Sequence, residues 1–425
     1  MQEPENSLPA PATIERTGIR RSVLEDLALK TIYMEHELHL RALADRMGLG
    51  FEVIDDLYQR LRKRGLCEVS AHDGLVPRIT LNGRGSVRAQ ELLAANNYVG
   101  TAPVSLGDYV TRVHEQSVRR ADVCAADVER AFEPLVLSEE LRKRLGVAIL
   151  SGTSIVLYGP SGTGKTVIAE HIPDVYRGDV WIPHAVEVDG QFITVYDPMV
   201  HKRVDQALSQ QSDRRWVLCE RPRVTVGGEL TIEMLDLQFN AVSGLYVAPL
   251  QMKANNGVLI IDDFGRQRVA PEVLLNRWIV PLDRKIDFLT LRGGKKFEIP
   301  FDSLVVFSTN LDATTVFALR TETAVLNDDA FLRRIPNKIR LDFITGEQFR
   351  EIFRRVCSRY EVPFDAALVD QLTEYLGSDL KQPLRPCYAG DLLQQVCWEA
   401  QFDGRQPTLD WATITRACHS YFLAT

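Results

Sequence analysis

Apolar positions recur at helical spacing through RSVLEDLALKTIYMEHE, LHLRALADRMGLG and FEVIDDLYQRLRKRG, the last two closed by glycine, so three helices are expected from about residue 19. LCEVS and PRITLN flank the turn-forming AHDGLV as two short strands, and GRGSVRAQELLAANN returns to the helical period. Farther along, SIVLY, GVLII and SLVVF are short apolar runs that read as buried strands. Four amphipathic helical stretches close the chain, at residues 346–359, 364–376, 388–401 and 408–421. The first 18 residues, rich in acids and prolines, read as a disordered tail, and residues 100–120 as a connector.

The candidate chemistry sits at the end of each apolar run. SIVLYGPSGTGKTVIAEHI is a strand, a glycine-rich loop and a helix, and the loop fits the phosphate-binding pattern GxxxxGK[ST] over Gly159, Pro160, Ser161, Gly162, Thr163, Gly164, Lys165 and Thr166. Such a loop turns its N–H groups towards phosphates, its lysine reaches the β- and γ-phosphates, and its threonine hydroxyl ligates Mg²⁺. In GVLIIDDFGR the strand ends in paired acids: Asp262 is placed to face that metal ion, and Asp263 to act as base or water-orienting group. DSLVVFSTN ends at a similar level in Asn310, an amide suited to the γ-phosphate or the attacking water. A nucleotide with Mg²⁺ is the expected ligand, and a loop that contacts phosphates leaves adenine and guanine open.

A chain of 425 residues with 45% hydrophobic and 25% charged content fits a globular protein of two or three domains. It has no apolar run of the roughly 18 residues that a membrane span needs, and its acidic N-terminus is unlike a signal peptide, so a cytoplasmic location without membrane insertion is expected. Seven scattered cysteines, an odd number with no CxxC, argue against a disulfide framework or a zinc site. The net charge of −7 speaks against a surface that binds nucleic acid as a whole and moves the question to local patches.

The order of helices and strands over residues 19–99 resembles a winged helix-turn-helix domain. In such a domain the third helix reads DNA near its N-terminus. Here that end carries Glu52, Asp55 and Asp56, while Arg60, Arg62, Lys63 and Arg64 crowd the far end, and the region holds twelve Lys/Arg against eleven Asp/Glu. DNA binding is therefore possible but less favoured than a protein-docking or structural role.

The series GPSGTGKT, LIIDD, STN and DDAFLRRIPNKI resembles the AAA+ ATPase superfamily over roughly residues 120–425. The resemblance implies an α/β fold: a P-loop parallel sheet sandwiched by helices, a C-terminal helical lid, and here an N-terminal winged-helix domain. The expected divisions are a tail at 1–18, a winged-helix-like domain at 19–99, a connector at 100–120, a large ATPase domain at 121–344 and the lid at 345–425. It also implies a Mg²⁺-dependent ATPase, most simply a hexameric ring, in which Arg334, or its rival Arg333, reaches the nucleotide of the next subunit.

DFLTLRGGKKFEIP resembles the pre-sensor hairpin of MoxR-like ATPases and enhancer-binding activators, turning at Arg292 to Lys295. NAVSGLYVAPLQMKANNG has the placement of their substrate-facing loop, which leaves Tyr246 as either a pore residue or a core aromatic. Three departures stand out: Asp263 replaces the usual glutamate, Arg385 beside Pro386 is a displaced candidate for the second sensor, and WIPHAVEVDGQFITVYDP inserts an extra strand-turn-strand. The resulting expectation is an ATP-driven ring that remodels a protein client. An ATP-dependent DNA-binding regulator and a slow nucleotide-dependent assembly switch are the alternatives.

Overall fold

A computed structural model describes residues 8–73, 76–205, 212–310, 318–321, 324–327 and 334–422. The chain opens with helix α1 (Arg21–Glu35), strand β1 (Glu37–His39), α2 (Leu40–Met47), α3 (Phe51–Lys63), strands β2 (Cys67–Asp73) and β3 (Val76–Leu81), and α4 (Gly83–Ala95). The three strands form an antiparallel sheet in the order β1-β3-β2. β1 falls where the first two helices were expected to meet; His36, at φ 62°, breaks the helix and lets Glu37–His39 pair with β3. Leu27, Ile32, Met47, Leu57 and Leu61 are fully buried where the helices meet.

Two segments depart from the expectation. Residues 8–18, expected in the tail, are packed: Ile14 is 2% exposed, and the Thr17 carbonyl accepts a 2.8 Å hydrogen bond from Arg215 Nη1. Arg215 is buried and pairs with equally buried Asp213, Nη2 to Oδ2 at 2.8 Å. The expected connector contains β4 (Val104–Ser105) and α5 (Leu106–Glu115), with Val104, Tyr109 and Val113 in the core. An apolar face on so short a helix signals packing, and the flanking polar residues hid it.

The next helices are α6 (Ala125–Phe132) and α7 (Glu139–Leu150), followed by β5 (Ile155–Tyr158) and α8 (Lys165–His171). Six strands come next: β6 (Val180–Pro183), β7 (Ala185–Val188), β8 (Gln191–Thr194), β9 (Trp216–Cys219), β10 (Arg223–Val226) and β11 (Gln238–Asn240). They lead to β12 (Leu245–Val247), α9 (Leu250–Lys253), β13 (Val258–Ile261), α10 (Pro271–Arg284), β14 (Ile286–Thr290), β15 (Lys296–Pro300) and β16 (Leu304–Thr309). β17 (Ala318–Thr321) pairs with β18 (Ala324–Asn327), and β19 (Asn337–Arg340) completes the set.

The central sheet is parallel throughout, in the order β10-β13-β16-β5-β19. Its apolar runs are unbroken because both faces are covered: every residue of β13 and β16 is buried. Phe307 packs edge-on against Phe264 and Trp278, with centroids at 5.0 and 5.7 Å; truncating a buried aromatic of this kind costs about 3–5 kcal/mol.

A second, mixed sheet runs β11-β12-β8-β7-β4, and β6 pairs with β9. The inserted strand-turn-strand thus supplies the β7-β8 hairpin at its centre. The expected hairpin is formed by β14 and β15, but its tip lies against this sheet: Arg292 N donates to Tyr246 Oη at 2.8 Å, and Lys295 Nζ lies 2.9 Å from Asp189 Oδ1. Tyr246, only 4% exposed and packed on Phe239, is a core aromatic and not a pore residue.

The C-terminal helices are α11 (Gly346–Arg359), α12 (Ala366–Ser378), α13 (Pro386–Phe402) and α14 (Trp411–Tyr421), around a core that includes Phe349, Phe353, Leu372 and Leu392. Pro386 opens α13, where its missing N–H has no helical partner to lose. Among the described residues no helix is long and apolar enough to cross a membrane. All seven cysteines are free thiols.

Candidate functional site

Chain order turns back at β5, which has β16 on one side and β19 on the other. In an open parallel sheet, the crevice beyond the carboxyl ends of the strands at such a switch point is where ligands bind. The glycine-rich loop leaves β5 at that place. Gly159, at φ 139°, is needed there because a Cβ would lie 2.1 Å from the Leu341 carbonyl oxygen beyond β19. Gly164, at φ 87°, turns the chain into α8.

The loop is held from within. Thr163 Oγ1 donates to the Pro160 carbonyl at 2.9 Å, and Lys165 Nζ donates to the carbonyls of Gly159 and Pro160 at 3.0 and 2.7 Å. Burial pushes the Lys165 ammonium below its ordinary range, against the opposing pull of Asp262 and Asp263, while Arg385 adds to the lowering. Thr166 Oγ1 donates to Asp262 Oδ2 at 2.9 Å, so the two candidate metal ligands, 96 residues apart in sequence, meet in space.

Beyond β13 the chain makes a tight turn. Asp262 N bonds to the Val226 carbonyl at 2.8 Å, which ties the turn to the neighbouring strand β10. Asp263 adopts a left-handed backbone, φ 47°, a region that aspartate tolerates better than most residues. Asn310 Nδ2 donates to Asp263 Oδ1 at 3.0 Å, which brings together the two residues expected near the γ-phosphate and the attacking water. Thr309 Oγ1 donates to the Phe264 carbonyl at 2.8 Å, so β16 supports the turn twice.

These groups line a cavity of about 680 Å³ between the central sheet and the C-terminal helices. Ser161 to Thr166, Asp262, Asp263 and Asn310 form one wall; Ile352, Val356, Arg359 and Cys387 come from α11 and α13. Arg355 Nη1 donates to the Glu133 carbonyl at 2.7 Å and links α11 to the end of α6.

Arg385 stands beside the loop, with its Cδ 3.4 Å from where a Cβ on Gly162 would lie, and it stacks over Phe343 and Tyr388 at 5.6 and 5.7 Å. Its Nε is buried without a hydrogen-bond partner among the described residues. Arg334 does not line the cavity; its Nη2 lies 2.8 Å from Asp283 Oδ2 at the end of α10. Arg333 lies outside the described residues.

Sequence reasoning missed Gln267, Thr309 and Cys387. Gln267 Oε1 accepts from Gly265 N at 2.8 Å, and its Nε2 donates to the Asp262 carbonyl at 2.9 Å. A glutamine four residues after Asp263 has no motif to mark it. Cys387 becomes visible only through Gly162, whose missing Cβ would lie 2.6 Å from the thiol sulfur.

Residues 345–420 match a family described as a domain of unknown function (DUF8689). No curated protein matches the chain. Among solved structures it is similar to the RuvB Holliday junction branch migration motor of Thermotoga maritima, at 16% identity and a TM-score of 0.37 over 67% of this chain and 69% of that one. It is also similar to NtrX from Brucella abortus, at 14% identity and a TM-score of 0.43 over 74% of this chain and 59% of that one. NtrX in complex with ADP gives 13% identity and a TM-score of 0.39 over 66% of this chain and 55% of that one. At such low identity and score the likeness carries no residue-level correspondence.

Proposed function

We propose that the chain is a Mg²⁺-dependent ATPase of the AAA+ type that uses nucleotide turnover to change the arrangement of its own domains and remodel a protein partner. The observation that carries this reading is the meeting of Thr166 with Asp262 at 2.9 Å, beside Lys165 and the Asp263–Asn310 pair, at one cavity mouth. A hydroxyl and a carboxylate side by side make a hard oxygen donor set that suits Mg²⁺ shared with phosphate oxygens. The metal ion, when bound, neutralises charge on the phosphates.

The chain's own residues supply the remainder. Loop N–H groups and Lys165 bind the phosphates, the ammonium exchanging its two carbonyl acceptors for phosphate oxygens. Asp263 accepts a proton from water as the water oxygen bonds to the γ-phosphorus. The bond from that phosphorus to the β–γ bridging oxygen breaks, leaving ADP and inorganic phosphate, and Asp263 then returns its proton to solvent. Asn310 orients the carboxylate and the water.

Arg334 pairs with Asp283 and is not among the residues that line its own cavity, which favours action on a neighbour and hence a ring, with a hexamer as the expected closed form. In the N-terminal domain, Arg64 pairs with Glu25 at 2.5 Å and Arg60 with Asp56 at 2.9 Å. This internal neutralisation favours protein docking over DNA binding. The test is MgATP turnover by the full chain, measured as phosphate release. Turnover should depend on Lys165 and Asp263, and equal rates from native protein and both Lys165→Ala and Asp263→Asn would exclude the reading.

A further inference from the structure

The turn that carries Asp263 is held by a side chain with no assigned role. Gln267 touches three backbone groups of the same turn: Oε1 accepts from Gly265 N at 2.8 Å, and Nε2 donates to the carbonyls of Asp262 and Asp263 at 2.9 and 3.3 Å. Arg266 N closes the turn onto the Asp263 carbonyl at 3.0 Å. Two of the residues enclosed have positive φ, Asp263 at 47° and Gly265 at 97°. Glycine takes such a backbone freely, aspartate tolerates it, and the hydrogen bonds of the turn hold it there.

Aspartate has only two side-chain torsions, so the position of its carboxylate follows its backbone closely. In an extended backbone the Cα–Cβ bond of Asp263 would point elsewhere, and the 3.0 Å contact between its Oδ1 and Asn310 Nδ2 would be lost. The two ends of Asp263 are thus fixed by different residues. Asn310 holds the carboxylate from β16, and Gln267 holds the main chain from beyond the turn. Gln267 is not among the residues lining the cavity.

We infer that Gln267 is a positioning residue for phosphoryl transfer: it holds Asp263 in its left-handed backbone so that the carboxylate meets Asn310 at the cavity mouth. This rests on the hydrolytic reading above and adds to it a determinant outside the cavity. Displacing a reacting group by about an ångström is enough to slow a reaction by up to about 100-fold. The loss should therefore appear in kcat and not in nucleotide binding.

The experiment compares native full-length chain with Gln267→Leu, which removes all three bonds, and Gln267→Glu, which keeps the acceptor for Gly265 N and loses both donors. MgATP turnover, titration with a fluorescent ADP analogue and thermal melting are measured on each. The expected result is a fall in kcat of about tenfold or more in both variants, with KM and ADP affinity within about threefold of native. In an Asp263→Asn background, Gln267→Leu should remove less than about twofold more, since it acts through Asp263.

A kcat within about twofold of native in either variant that melts as native does overturns the inference. So does a parallel loss of kcat and ADP affinity, or a full tenfold loss on top of Asp263→Asn. Failure of the hydrolytic reading itself looks different: native chain shows no phosphate release and Lys165→Ala binds the analogue as native does.

Discussion

Asn310 and Asp263, 47 residues apart in sequence, share a hydrogen bond of 3.0 Å between an amide nitrogen and a carboxylate oxygen. One lies at the end of β16 and the other beyond β13, so the bond spans two adjacent strands at the cavity mouth. If Asp263 takes the proton from water, Asp263→Asn should bind nucleotide as the native chain does and lose about 100-fold or more in kcat. Asn310→Ala frees the carboxylate without removing it, so its loss should be smaller. Phosphate release under saturating MgATP, with calorimetric nucleotide titration alongside, checks both.

Lys165 and Thr166 should fail in different ways. Lys165→Ala removes the ammonium that now bonds to the Gly159 and Pro160 carbonyls, and nucleotide affinity should fall steeply with or without metal. Thr166→Ala removes only the partner of Asp262 Oδ2. Its defect should appear as a higher Mg²⁺ requirement, read from turnover across a Mg²⁺ titration at fixed ATP; an unchanged midpoint would remove Thr166 from the metal site.

Arg334, paired with Asp283 and not among the residues lining its own cavity, gives a prediction about pairs of subunits. Arg334→Ala should keep nucleotide affinity and lose about 100-fold or more in kcat. Mixed with Lys165→Ala chains, which keep the arginine, it should recover part of the turnover at intermediate ratios. No recovery at any ratio counts against action on a neighbour.

Lys30 makes stability depend on alkaline pH. It is 3% exposed, donates to Asn96 Oδ1 at 2.6 Å and lies 5.6 Å from the Phe192 ring, and burial pushes its amine down to about 8, with only Asp26 opposing. In the unfolded chain a lysine titrates near ~10.4. Between those values the unfolded chain binds the additional proton, so stability should rise from about pH 8 upward, with the full burial penalty present below pH 8. Lys285, pushed down to about 8 mainly by burial, contributes with the same sign. Lys30→Met should flatten part of the slope in denaturant midpoints measured from pH 8 to 10.

The legible parts of the fold were those with strong local signals. Unbroken apolar runs marked β5, β13 and β16, and helical spacing marked the four C-terminal helices, because in each case burial on known faces dictates the residue pattern. That the glycine-rich loop and the paired acids come together was legible because the residue pattern expected for phosphate and metal chemistry is narrow. Long-range packing was not legible. Ile14 is a single apolar residue in polar surroundings and Tyr109 lies on a helix of only ten residues, and only the distant surfaces they meet show them to be core. Tyr246 and Gln267 belong to the same class, since their roles depend on Arg292 and on the backbone of a turn, neither of which leaves a periodic trace.

The β14-β15 hairpin projects from the end of α10, the helix that also carries Asp283, and Arg277 of that helix bonds to Asp287 at the hairpin's base at 2.7 Å. Its tip is fastened to the second sheet by Tyr246 and Asp189, and that sheet meets the N-terminal domain where Asn97 N bonds to the Ser243 carbonyl at 2.7 Å and Tyr98 abuts Phe192. A hairpin anchored at both ends acts as a connecting rod. Any tilt of α10 must carry α1 to α4 with it or break these fastenings, so the N-terminal helices are mechanically coupled to α10.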